Sequence, residues 1–169
     1  MRSAYCVYDG GLSGLGGCLV EVTKKAEYAI SALIELALHP GEFISSKEIA
    51  QRQNIPPNFL PQIMATLGSR GWVEGVRGPG GGVRLLVSPD NITVREVVEL
   101  IEGPVAITRC LMREANCSQL GRCPLHSTWA RAQEALLNVL GDTTLQDVVE
   151  TQRALDRQTE AEAEFNRAR

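Results

Sequence analysis

The chain has 169 residues, 44% hydrophobic and 22% charged, a balance that suits one globular domain, or one small domain with an appendage, with core enough to fold alone. Its formal net charge of -3 excludes a generally basic nucleic-acid coat, so any DNA contact must come from a local patch. No continuous apolar run has the length of a secretory signal or a membrane span, which points away from a membrane and towards the cytoplasm, where thiols are kept reduced.

Residues 1–19 carry Gly10, Gly11, Gly14, Gly16 and Gly17 among scattered aromatics, so they read as a flexible glycine-rich extension, with Cys6 and Cys18 as spare thiols. The ordered pattern starts abruptly at Val22-Thr23, which suggests a native start near Val20 and an extension that is a start-site artefact. Thr23 is the expected N-cap of a helix of about four turns whose Ala26, Ile30, Leu33, Ile34, Ala37 and Leu38 recur at helical spacing until His39-Pro40-Gly41 stops it. Glu27 suits the positive first turn of that helix.

Ser45-Ser46-Lys47-Glu48 has the S-x-x-E form of a capping box and opens a short helix to about Gln53. Asn54 then reads as a left-handed turn residue. Ile55-Pro56-Pro57-Asn58 is expected to start a second helix, with Phe59, Leu60, Ile63, Met64 and Leu67 on one face and Gly71 just past its end. Two short helices joined by a tight turn read as a helix-turn-helix. Trp72–Val76 and Val83–Val87 are β-prone runs flanking Arg77-Gly-Pro-Gly-Gly-Gly82, which predicts a hairpin with a glycine-rich tip, a wing beside the two helices. A tip poor in side chains with one arginine suits the narrow minor groove, and Arg77 is the best single DNA contact.

Thr93-Val-Arg-Glu96 is a second capping box and predicts a helix through Val94, Val97, Val98 and Ile101. From Gly103-Pro104 to Pro124 no helical or alternating pattern is sustained, and the segment 104–123 holds Cys110, Cys117 and Cys123 at C-x6-C-x5-C spacing, with His126 three positions after the last. A loop this long without structure of its own is usually functional or disordered, and four soft or borderline ligands in it ask for a metal. A disulfide would leave one cysteine over; a zinc site lacks its usual C-x2-C knuckle. An iron-sulfur cluster tolerates wider spacing and fits better, although spacing alone does not decide the point. Leu125, Trp129, Ala132, Leu136, Leu137 and Leu140 then mark a long amphipathic helix closed by Gly141, and Thr144 begins a last one through Leu145, Val148 and Val149. Apolar surface this broad suits a dimer interface or packing within the chain. Residues 158–169, polar and Glu-rich, read as a disordered tail.

The segments VTKKAEYA, IAQRQNIP, FLPQI, VRGPGGG, the C-x6-C-x5-C loop, CPLHxxW and TTLQDVV, in that order, resemble the Rrf-two family of bacterial winged-helix transcription regulators over about Val20 to Arg157. The resemblance implies a mainly α fold with a small β-hairpin wing, the winged helix-turn-helix domain spanning 20–103 and dimerisation helices spanning 124–157. It implies a homodimer in which the long C-terminal helices cross and each subunit offers its motif to half of a palindromic operator on double-stranded DNA. It also implies a 2Fe-2S or 4Fe-4S cluster on Cys110, Cys117 and Cys123. The fourth ligand varies in the family. One branch uses a histidine at the position of His126; another uses a first-helix aspartate of the partner subunit, at the position of Glu27 here. Imidazole beside the thiolates needs no partner chain, so His126 is preferred.

The family's DNA-facing positions fall on Asn58, Phe59, Pro61 and Gln62, with Arg77 and Gly78 in the wing, and Ser46 and Lys47 at the start of the motif's first helix are further candidates. Gln62 suits a bidentate pair with adenine, and Asn58 suits adenine or phosphate. Pro61 replaces a glutamate and Gly68 an arginine of the cluster-regulating branch, which implies a different operator. A metal-dependent enzyme fits poorly: His39 and His126 are the only histidines and no catalytic signature accompanies them. A cofactor-free or zinc-bound regulator of the same fold, switching by thiol oxidation, stands as the alternative.

Overall fold

A computed structural model of the chain describes residues 22–78, 80–108, 111 and 123–167. Helix α1 (Lys24–Leu38) is the element around which the first domain is packed, in contact with α2, α3, α4, α6 and β2. Its many alanines let neighbouring backbones approach closely: Ala26, Ala29 and Ala32 are fully buried with Leu33 and Leu36, a wider buried face than the periodic residues alone predict. Thr23 is the N-cap by position, but its side chain makes no cap. Instead its backbone N–H donates to Glu102 Oε1 at 2.7 Å, tying the start of α1 to the end of α4.

Helix α2 (Ser46–Arg52) opens on the expected capping box, with Ser45 Oγ accepting from the Glu48 N–H at 3.2 Å and the Glu48 carboxylate accepting from the Ser45 N–H at 3.1 Å. Asn54 turns the chain at φ 50°. Helix α3 (Leu60–Ser69) begins two residues later than expected. Asn58 and Phe59 lie in the preceding turn, closed by the Phe59 N–H on the Pro56 carbonyl at 3.0 Å. The prolines are the physical reason: Pro56 and Pro57 restrict the residues before them to extended backbone and supply no N–H, while Pro61 is placed where a missing donor costs nothing. Gly71 at φ 79° closes α3, and the Trp72 N–H returns to the Leu67 carbonyl at 3.1 Å.

Strands β1 (Val73–Val76) and β2 (Gly82–Leu85) form the antiparallel hairpin, with Val73 opposite Leu85 and Val76 opposite Gly82. Ile44 pairs with Val83 through two hydrogen bonds of 3.0 and 2.8 Å, so the residue leading into α2 docks on the wing. A 3₁₀ turn at Pro89–Asn91 leads to α4 (Val94–Glu102), which opens on its capping box at Thr93 and Glu96.

After the cysteine loop come α5 (His126–Asp142) and α6 (Leu145–Arg167). The start of α6, expected together with α5 in a dimerisation unit, instead completes the first core: Leu145 and Val149 are buried in the same cluster as Leu33, Ile63 and Val97. The α6 helix also continues through residues 158–167, where the sequence suggests a disordered tail. Glu, Ala, Gln and Arg are strong helix formers, and side-chain pairs such as Gln152 Nε2 on Asp156 at 2.8 Å support the exposed turns. No helix among the described residues is long and apolar enough to cross a membrane.

Candidate nucleic-acid interface and cysteine loop

The helix-turn-helix is held to the domain by a buried carboxylate that the sequence did not single out. Glu35, on the buried face of α1, accepts from Arg52 Nη1 on Oε1 and from Gln53 Nε2 on Oε2, each at 2.8 Å. His39 Nδ1 lies 3.0 Å from the Glu35 carbonyl, and Arg52 Nη1 3.3 Å from His39 Nε2. Buried carboxylates must be paired, and here the partners come from the end of α2, so the pairing fixes α2 and its turn against α1. The Glu35 carboxylate holds the Arg52 guanidinium above its usual range. A lone Glu among apolar helix positions was the available signal.

The exposed side of α3 carries Pro61, Gln62, Ala65, Gly68 and Ser69, preceded by Asn58; Phe59 is half-buried, its ring edge-on to Tyr28 at 5.4 Å. Gln62 is therefore the long polar side chain on an otherwise small, uncharged face. Beside it, Ser46, Arg77 and Gly78 line one concavity of about 340 Å³ between the start of α2 and the wing, together with Ser45, Gly81 and Gly82. The structure thus brings Ser46 to the wing arginine, and Lys47 is exposed next to it.

The other arginines of this domain are engaged internally. Arg84 pairs with Glu74 and stacks 4.7 Å from the Phe43 ring centre; Arg70 sits 5.6 Å from the Trp72 ring and 3.9 Å from Glu96. Among the described residues Arg77 and Lys47 have no hydrogen bond or ion pair. Cations without internal partners beside the exposed, uncharged face of α3 are the local basic groups that an acidic chain would offer to a phosphate backbone.

Gly82 has a steric duty at this site. A Cβ there would lie 2.5 Å from the Ile44 carbonyl oxygen, so only glycine lets β2 approach the strand-like residue before α2.

Cys110 and Cys117 lie outside the described residues. Cys123 is a free, half-buried thiol one turn before α5, and its carbonyl accepts the His126 N–H at 3.2 Å. One hydrogen-bonded turn therefore carries both a thiol and an imidazole, a donor pair that suits iron or zinc. Glu27, on the first turn of α1, is occupied by the Lys24 ammonium. Among the described residues no three His, Cys, Asp or Glu side chains converge as a metal site.

Two helical stripes divide α5. Helix α5 contacts α4, and its His126, Ala130, Gln133, Leu137 and Leu140 are half-buried, whereas Leu125, Trp129, Ala132, Leu136 and Val139 follow at alternating four- and three-residue steps along a second stripe on which all but Leu136 are exposed. Leu125, Trp129 and Val139 are 54%, 42% and 65% exposed. The alternation is that of a coiled-coil seam, and among the described residues most of it is exposed.

Fold and surface together define a winged helix-turn-helix DNA-binding protein. The sequence profile of Rrf2, described as an iron-dependent transcriptional regulator, matches residues 22–151. The chain is 35% identical over 138 residues to the transcriptional regulator IscR of Xenorhabdus nematophila, covering 81% of this chain and 84% of that one. Among solved structures it resembles CymR, the global cysteine regulator of B. subtilis (TM-score 0.65, 30% identity, 79% of this chain and 98% of that one), and T. potens IscR (TM-score 0.62, 29% identity, 78% and 88%). The chain belongs to the Rrf2 family of transcriptional regulators.

Proposed function

We propose that this regulator binds a palindromic operator as a cytoplasmic homodimer, and that an iron-sulfur cluster on Cys110, Cys117 and Cys123, with His126 as fourth ligand, controls that binding. The observation that carries the reading is the Cys123–His126 turn at the head of α5, a helix whose outer seam is exposed. Cys123 and His126 thus lie between the DNA-binding domain and the surface that would meet a second copy. Similarity to the IscR proteins supports the same reading. Glu27 of a partner subunit is the competing fourth ligand, and its pairing with Lys24 counts against it.

When bound, a 2Fe-2S or 4Fe-4S cluster supplies a redox-active centre open to oxygen or nitric oxide, so its presence reports a signal. The thiolates and His126 hold both ends of the loop in one arrangement, and that arrangement sets how α5 meets its partner. The operator's fixed half-site spacing then penalises any change in the separation of the two α3 helices. Asn58, Phe59 and Gln62 read base edges, Ser46, Lys47 and Arg77 contact phosphates or the minor groove, and Gly78 lets the wing tip approach.

The test is the visible spectrum and iron and sulfide content of anaerobically purified protein beside a Cys110→Ala, Cys117→Ala, Cys123→Ala triple variant, with operator affinity of loaded and cluster-free protein at matched salt. The expected result is a coloured wild type, a colourless variant and unequal affinities. Equal affinities would end the switching proposal. A colourless, iron-free wild type that cannot be reconstituted would leave the second reading, a thiol-oxidation or zinc-based switch, which the free Cys123 thiol and the structural similarity to CymR support.

A further inference from the structure

The segment that leads into the cysteine loop is tied to α5 by one side chain. Gln133 Oε1 accepts the Ile107 N–H at 2.8 Å, and Gln133 Nε2 donates to the Val105 carbonyl at 2.6 Å. In an extended segment the carbonyl of one residue and the N–H of the residue two further on point to the same side, so the carboxamide occupies the place of a neighbouring strand's peptide group. Both bonds are part-buried. A side-chain amide that satisfies two backbone groups at once fixes position and direction together, which one apolar contact does not.

The far end of α5 is also anchored by backbone. The Val94 N–H donates to the Thr143 carbonyl at 2.9 Å and the Leu145 N–H to the Ile92 carbonyl at 2.7 Å, so the α5–α6 junction is pinned to the start of α4. Gln133 lies ten residues before Thr143, about 15 Å along the helix. Pinned at that junction and clamped at Gln133, α5 has a defined direction relative to the DNA-binding domain. Released at Gln133, its free half loses a two-point polar tie to residues 105 and 107.

We propose that Gln133 is the positioning residue that couples the cysteine loop to α5. The residues just ahead of Cys110 cannot move without pulling on this amide, so a change in the loop becomes a change in the angle of α5 about its junction with α4. This rests on the functional reading above, since it names the residue through which that switch acts. His126 lies two turns earlier on the same face as Gln133, so both ends of the loop meet one stripe of α5.

Gln133→Met tests it, because methionine keeps the stem and volume of the side chain and removes both the donor and the acceptor. Full-length wild type and variant are compared by the hydrogen exchange of the Ile107 amide, by thermal melting, and by operator affinity in the loaded and cluster-free states, or in the oxidised and reduced states if no cluster is present. The expected outcome is an Ile107 amide that exchanges about tenfold faster with the melt nearly unchanged. Alongside it, the affinity ratio between states, about 5- to 150-fold for a coupling of usual size, falls towards one. An unchanged Ile107 exchange rate, or a variant that switches as well as wild type, overturns the clamp alone. A wild type that binds the operator equally in both states overturns the functional reading and this inference with it.

Discussion

Helices α1 and α5 are of similar length, 15 and 17 residues, yet α1 buries eight of its residues and α5 buries none. The difference is not one of apolar content alone. The small side chains of α1 let five neighbouring elements close around it, and even its one buried carboxylate is fully partnered by α2. The apolar residues of α5 divide between a half-buried inner stripe and an outer seam that, Leu136 apart, is exposed among the described residues. A finished core makes a domain that folds as one chain; a seam with coiled-coil spacing makes half of a core that a second copy completes in the proposed dimer.

The strongest way to break this contrast is to compare a cavity in α1 with a charge on the seam of α5. Leu33→Ala, at a fully buried position of α1, is expected to cost about 2–5 kcal/mol and to lower the melting temperature equally at every protein concentration. Val139→Glu, on the seam, is expected to leave the dilute-solution melt nearly unchanged while weakening self-association about a hundredfold, read by sedimentation. If Val139→Glu unfolds the chain at all concentrations, the seam is covered within one subunit and the contrast is false.

A smaller effect tests the wing. Gly82→Ala forces a carbon against the Ile44 backbone, a clash that side-chain movement cannot relieve, and overpacking of this kind costs about 1–3 kcal/mol. Because the cost falls on the contact between β2 and the approach to α2, operator affinity is expected to fall further than the melting temperature. A loss of stability with normal operator binding would show that the wing's docking on Ile44 does not matter to DNA.

What the sequence made legible was local. The capping boxes at Ser45 and Thr93, the left-handed Asn54, the glycine after α3 and the hairpin around the glycine-rich tip all follow from a few adjacent residues, and each is present. What stayed hidden needed a partner distant in sequence. Glu35 looks like any helix carboxylate until Arg52 and Gln53 are brought to it, and Gln133 looks like a solvated mid-helix residue until Val105 and Ile107 reach it. That Cys123 and His126 fall in one turn was visible in their spacing, and the His126 N–H on the Cys123 carbonyl closes that turn. The same reasoning cannot join Cys110 and Cys117 to them, since loop closure over those distances leaves no periodic trace.

The mildest prediction asks where the finished half ends. Helix α2 starts on the Ser45–Glu48 box, and α6 starts on an equivalent device in which Thr144 Oγ1 donates to Asp147 Oδ2 at 2.7 Å and accepts the Asp147 N–H at 3.1 Å. Hydrogen bonds from the Ser45 side chain hold the Glu48 carboxyl below its ordinary 4.5, and those from Thr144 hold Asp147 below its ordinary 3.8. A depressed value in the folded state gives stabilisation that is present above the unfolded value and is lost as pH falls through the folded one. Glu48→Gln and Asp147→Asn should each therefore flatten part of the acid limb of the melting curve, below about pH 4.5 and 3.8 respectively. The two effects should be alike in size, because Leu145, directly after Thr144, is buried in the same core as Ile49, one residue after Glu48. If only Glu48→Gln changes the slope, α6 melts apart from the DNA-binding domain, and the boundary between the two halves lies at Thr143 rather than part-way along α6.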